Sequence, residues 1–164
     1  MEETLNSLKP LLNEVNFITD DSFFWSPDRN EVHYNPTNTD EGVWSLLHEA
    51  AHAKLGHTQY KSDFELLKLE VAAWEEAKDL ARHVNIEINE DHIQDCLDTY
   101  RDWLHQRSTC PSCSNVCFQN SPKEYRCHNC YTIWYVSNSR FCRPYRLRNY
   151  SNSKETDKLR AVYI

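Results

Sequence analysis

The sequence predicts an α+β fold in which a small β-sheet packs on a central helix and two further helices, with a small all-β unit after them. Three observations carry this prediction. Short β-type runs cluster between residues 15 and 35, segments of helical hydrophobic spacing follow, and beyond residue 108 the pattern changes to paired cysteines with short alternating runs.

The 164 residues suffice for one modest domain plus a small appendage. With 40% hydrophobic and 26% charged residues, the composition argues against a disordered chain. The opening MEETLNSLKPLLNEVNF carries acids where a signal peptide needs bases, and no run approaches the length of a membrane span. A cytoplasmic protein without membrane contact is therefore expected, and its seven cysteines are better read as metal ligands or core residues than as a disulfide framework. Residues 1–100 hold 7 Lys/Arg against 21 Asp/Glu, whereas residues 101–164 hold 11 against 4. Such asymmetry suggests two parts, the second able to meet an anionic partner.

Leu5, Leu8, Leu11 and Leu12 lie on helical spacing, ahead of β-type runs at VNFIT, SFFWS and EVHYN that the turn signals SPDRN and NPTNTD separate. The next helix begins near Asn38–Asp40 and stops at Gly56, one of two glycines in the chain. A second helix opens on the capping box Ser62-Asp63-Phe64-Glu65 and continues to about Arg82. A third spans about Glu90 to Gln106, with Ile93, Cys96, Leu97, Tyr100, Trp103 and Leu104 along one stripe. The expected domains are residues 1–107, 108–150 and a polar tail, 151–164.

Residues 48–57 read HEAAHAKLGH. Side chains four apart on a helix share a face, about 5–6 Å between Cβ atoms, so His48 and His52 can hold one ion. Glu49, rotated about 100° from His48, would stay outside the clamp yet reach a water on the ion. This is the arrangement of a zinc hydrolase, in which the metal acidifies the water and the glutamate takes its proton. Two histidines leave a catalytic zinc one ligand short, and His57, Glu70, Glu75, Glu76 and His83 are candidates.

A helical wheel places Phe64, Leu66, Leu67, Leu69, Val71, Trp74, Ala77, Leu80 and Ala81 on one broad arc with Glu70 in its middle. Glu65, Lys68, Glu75, Glu76, Asp79 and Arg82 fall opposite. A carboxylate pointed into a core needs a cation, which makes Glu70 the expected third ligand; the competing reading is a buried salt bridge to Lys54 or Lys78. His57, off the clamp face, would support the ligands or the helix end. Tyr60, His83 and Tyr100 are the candidates for stabilising an oxyanion.

These residues resemble the HExxHxxLGH signature of the ImmA/IrrE metallopeptidases, a group allied to the gluzincins and minigluzincins. The resemblance covers roughly residues 20–105. It implies a zincin-like fold in which His48, His52 and Glu70 bind zinc and Glu49 is the general base. It also implies a short twisted sheet whose edge strand, here EVHYN, pairs with an extended peptide substrate, and regulatory proteolysis of a DNA-bound protein. The SprT/Spartan proteases also couple HExxH to a C-terminal zinc ribbon, but their third ligand is a histidine farther downstream than His57, and no histidine lies between His57 and His83.

Cys110-x2-Cys113 and Cys127-x2-Cys130 are two thiolate pairs with thirteen residues between them, the spacing of a structural zinc site. The segment resembles a zinc ribbon, with Ser114 and Tyr131 where many ribbons have glycine, and Cys117 and His128 as spare neighbours. Lys123, Arg126, Arg140, Arg143, Arg146 and Arg148 are interleaved with Tyr125, Trp134, Tyr135, Phe141 and Tyr145, a mixture that suits nucleic acid or a protein surface. Cys96 and Cys142 read as packed cysteines. The expected function is a zinc-dependent endopeptidase holding two zinc ions and acting on a protein or peptide. The alternatives are a non-catalytic zinc-stabilised module that binds nucleic acid or a partner, and a SprT-like DNA-associated protease.

Overall fold

The computed structural model describes residues 1–137 in full and, beyond them, the backbone of two short strands, 146–148 and 160–162. Its elements are α1 (Glu2–Leu8), β1 (Asn16–Thr19), β2 (Phe24–Ser26), β3 (Glu31–Tyr34), α2 (Asp40–Lys54), α3 (Asp63–His83), α4 (Glu90–Ser108), β4 (Gln119–Ser121), β5 (Glu124–Arg126), β6 (Ile133–Val136), β7 (Arg146–Arg148) and β8 (Arg160–Val162). The class is α+β, as expected. The chain divides into two units, one comprising Met1–Tyr60 and Lys68–Leu97, the other Lys61–Leu67 and Asp98–Ile164.

In the first unit a three-stranded sheet of order β1-β3-β2 pairs β1 parallel and β2 antiparallel to β3. The expectation that EVHYN is an edge strand is thereby corrected. β3, the last of the three in the chain, inserts between β1 and β2, so the edges are β1 and β2. His33 on β3 is buried between Asp20 (3.0 Å) and Glu31 (3.1 Å) and stacks on Phe24, its cross-strand neighbour.

α2 begins at Thr39, whose hydroxyl accepts the Gly42 N–H, with Asp40 and Glu41 in the first turn where the helix dipole favours acids. It ends in a Schellman motif: Gly56 takes a left-handed φ of 62°, its N–H donates to the Ala53 carbonyl, and the His57 N–H donates to the His52 carbonyl. The core collects Leu8, Val32, Leu46, Leu47, Ala50, Ala51, Trp74, Ala77 and Leu80. Each fully buried leucine contributes about 1.5–3 kcal/mol.

The apolar arc of α3 is narrower than the wheel suggests, because Phe64 and Val71 are exposed. Glu76, expected on the solvated face, is largely covered and pairs with Lys54 at 2.5 Å. At the start of α3, Glu65 N–H donates to Ser62 Oγ (3.1 Å), one half of the capping box, while the Glu65 carboxylate accepts from Lys61 N–H instead of Ser62.

The second unit holds a sheet of order β4-β5-β6-β7-β8, antiparallel throughout. Tyr125 and Trp134 lie in its core, 1% and 0% exposed, and are closed to base stacking. Arg140, Phe141, Cys142, Arg143 and Tyr145 lie outside the described residues. Asp63 is the hub of a buried network, accepting from Arg107 Nε (2.7 Å) and the Tyr125 hydroxyl (2.6 Å). The Arg107 guanidinium lies 4.3 Å from the Trp103 ring centroid, and the Arg107 carbonyl accepts the Trp134 indole N–H. Burial pushes the Tyr125 hydroxyl pKa up, and the Asp63 carboxylate adds to the shift. An apolar pocket of about 260 Å³ opens in the same unit, flanked by the exposed side chains of Phe64, Val116 and Phe118. Among the described residues, no helix is long and apolar enough to cross a membrane.

Candidate functional site

Helical spacing puts His48 and His52 on one face of α2, and α3 brings Glu70 to meet them. His48 Nε2 stands 3.1 Å from both Glu70 Oε2 and His52 Nε2, and His52 Nε2 stands 3.6 Å from the same carboxylate oxygen. Donors bonded at about 2.0–2.2 Å to one tetrahedral ion stand roughly 3.3–3.6 Å apart; the 3.6 Å separation falls in that range and the two of 3.1 Å just short of it, so a small outward movement of His48 would seat a shared metal. The donor chemistry fits too. Two imidazole nitrogens and a carboxylate oxygen can all turn lone pairs to one point, whereas without an ion a proton on His48 Nε2 would serve only one of its two contacts.

Glu70 is 5% exposed. Burial alone would raise its pKa, but the hydrogen bonds and charge of His48 and His52 outweigh it and hold the carboxyl well below the usual range. The rival salt bridges do not form: Lys54 pairs with Glu76, and Lys78 with Glu75 and Glu90.

Around this triad, Trp74 stacks on the His48 ring with centroids 4.2 Å apart. Trp74 follows Glu70 by four residues, so one face of α3 supplies both the carboxylate and the wall behind His48. Glu49, beside the triad in sequence, accepts the Trp25 backbone N–H at Oε2 (2.8 Å). His57 Nδ1 lies 2.9 Å from His52 Nδ1, because the Schellman turn folds the residue after Gly56 back against the helix. His57 thus stands off the clamp face and behind a ligand, in keeping with the supporting role expected of it.

The oxyanion candidates lie elsewhere. His83 is thirteen residues beyond Glu70 on α3, about 20 Å away, with Nδ1–H donating to the Asp79 carbonyl. Tyr60 is exposed in the loop after α2, and Tyr100 packs with Leu66 and Trp103 in the other unit. Trp25 escaped the sequence analysis, and nothing in the pattern SFFWS marks it out from its aromatic neighbours.

The four thiols of Cys110, Cys113, Cys127 and Cys130 form a second cluster that could hold a metal. Cys110 and Cys130 sulfurs are 3.6 Å apart, Cys113 and Cys127 sulfurs 3.5 Å, near the roughly 3.8 Å edge of a tetrahedron with bonds of about 2.3 Å. The two turns repeat each other. Ser114 and Tyr131 both take left-handed φ, 60° and 61°, and donate to the Cys110 and Cys127 carbonyls; Cys110 and Cys127 in turn donate to Asn115 and Thr132. The positions where glycine was expected thus adopt a glycine-like backbone without it. Burial pushes the Cys110 thiol up to about 12, although the Ser112 and Cys113 N–H groups oppose it. At Cys127 burial is outweighed by N–H groups of Cys130 and Asn129 on the sulfur, and the thiol falls to about 6. Cys117 packs in the adjoining core with its thiol toward the Asn115 carbonyl.

Compared with known proteins, the chain matches no family model, no curated protein and no solved structure.

Proposed function

We propose that this protein is a zinc-dependent endopeptidase of gluzincin type, similar to the ImmA/IrrE group, with a zincin-like first unit and a structural zinc ribbon in the second. The observation that carries the reading is the convergence of His48 Nε2, His52 Nε2 and Glu70 Oε2 beside Glu49. His48, His52 and Glu70 would hold the catalytic ion, three protein ligands being the number that leaves a position open for substrate or water. Zinc, when bound there, supplies the Lewis acidity that polarises a scissile carbonyl and acidifies a water.

Glu49 takes the proton that the attacking water gives up and later returns one to the leaving amine. With its Oε2 held by Trp25 N–H, the remaining oxygen, Oε1, is the proton acceptor. Trp74 covers one face of the His48 ring, and the burial of His48 and Glu70 strengthens electrostatic interactions at the site. β2 is the edge strand nearest Glu49 in the hydrogen-bond network, so an extended peptide would pair along β2.

The test is Glu49→Gln in the full chain. Cleavage of a denatured protein substrate should disappear while two zinc ions per chain remain; cleavage that persists rejects Glu49 as the base.

The apolar pocket favours a second reading, a non-catalytic module whose second unit binds a protein partner. Phe64, Val116 and Phe118 are large apolar side chains left exposed around one cavity, the signature of a contact surface. Absence of proteolysis at full zinc loading would favour this reading. A mobility shift that weakens with salt would instead point to nucleic acid.

A further inference from the structure

The two N–H groups of Trp25 serve opposite ends of the motif on α2. Its backbone N–H donates to Glu49 Oε2 (2.8 Å), and its indole N–H donates to the His57 carbonyl (2.7 Å). His57 in turn meets His52 through Nδ1 on both rings, 2.9 Å apart. Such a contact needs one N–H and one lone pair. If His52 offers its Nε2 lone pair to an ion, its proton sits on Nδ1, so His57 Nδ1 is the acceptor and His57 is protonated on Nε2.

His48 is held differently. Its Nδ1 is buried without a hydrogen-bond partner among the described residues, and its ring is fixed by stacking on Trp74. Of the two imidazoles, His52 alone depends on a hydrogen bond behind it.

We propose that Trp25 is a positioning residue of the metal site: its indole N–H anchors the His57 main chain, and His57 sets the tautomer and orientation of His52. The same residue ties Glu49 to β2, so the strand beside the site aligns both the ligand and the base. The inference rests on the reading of His48, His52 and Glu70 as a zinc site. Partners behind metal-binding histidines typically contribute about 10- to 100-fold in metal affinity.

The experiment measures zinc affinity at each site of the full chain by competition with a chelator. Trp25→Phe keeps an aromatic ring and the backbone N–H and deletes the indole donor together with part of the ring volume. His57→Phe deletes the acceptor, and His57→Gln restores a carbonyl oxygen. Trp25→Phe and His57→Phe should each weaken one site about 10- to 100-fold and leave the cysteine site unchanged. The double variant should bind no more weakly than His57→Phe alone, since Trp25 acts through His57, and His57→Gln should recover part of the loss.

First-site affinity of His57→Phe within about twofold of the parent overturns the proposal, because it falls outside the 10- to 100-fold range. So does a double variant whose loss is the sum of the singles. Thermal melts verify folding, and if Trp25→Phe does not fold, the two His57 variants decide. A parent chain that holds zinc at the cysteines alone defeats the peptidase reading itself; a parent holding two ions, with variants that bind both as tightly, defeats only the role of Trp25.

Discussion

The two metal-capable clusters are built in opposite ways. The four thiols come from 21 consecutive residues, each pair on its own tight turn, and they fill every corner of a tetrahedron with protein. The His48–His52–Glu70 cluster draws on two helices, spans 23 residues, and supplies three donors of two chemical kinds. A closed shell of four sulfurs suits stability, whereas three mixed donors beside a carboxylate suit chemistry. A metal held by the four thiols would therefore add to the folding of the second unit, whose core of Tyr125, Trp134 and Val136 is smaller than that of the first unit around Leu8, Leu46, Leu47 and Leu80.

Cys127→Ser should produce the largest effect. Losing one thiolate from a site whose metal contributes on the order of 10 kcal/mol to folding should unfold the second unit, seen as lost amide dispersion in NMR spectra and one zinc ion fewer per chain. The His/Glu site should keep its ion. If both ions leave together, the two clusters are not independent.

Glu49→Gln should lower turnover by about 10²- to 10⁴-fold, with zinc content and thermal midpoint unchanged. A fall in zinc content instead would make Glu49 a ligand and erase the contrast between three donors and four.

Asp63→Ala sharpens the comparison from the protein side. It leaves the Arg107 guanidinium buried without its carboxylate and removes the acceptor of the Tyr125 hydroxyl, and should cost about 3–5 kcal/mol in urea unfolding followed by tryptophan fluorescence. A cost below about 1 kcal/mol, the range of surface pairs, would mean that water reaches the pair. The smallest effect belongs to Ser114→Gly, which relieves a left-handed backbone and should stabilise the second unit by about 0.5–1 kcal/mol.

The features legible in the sequence were those that short-range spacing dictates. The i, i+4 pair in HEAAH, the position of Glu70 on an apolar helix face and the paired cysteines all involve residues a turn or a knuckle apart, or one periodic segment. Partners chosen by tertiary contact were not legible. β3 is the central strand because, after the β2–β3 turn, it also pairs in parallel with the earlier β1, a pairing no local pattern encodes. Tyr125 and Trp134 read as part of a surface for nucleic acid or protein, whereas burial beside the Asp63 network puts them in the core. His57 reads as a support for the ligands, but which ligand it backs is set by the turn at Gly56, which helical periodicity cannot describe. Trp25 gave no signal, since its roles arise from N–H groups that every tryptophan has.

The chain has only two glycines, and they stand near opposite ends of α2. At Gly42 a methyl group would sit 2.9 Å from the Thr37 carbonyl oxygen, so any side chain there must push the preceding loop aside; at Gly56 space is open but φ is +62°. One position is therefore forbidden by crowding and the other by handedness. In a saturation library these should be the two posts between which substitutions are tolerated or refused, with Gly56 yielding first to asparagine, the side chain that best accepts a left-handed backbone.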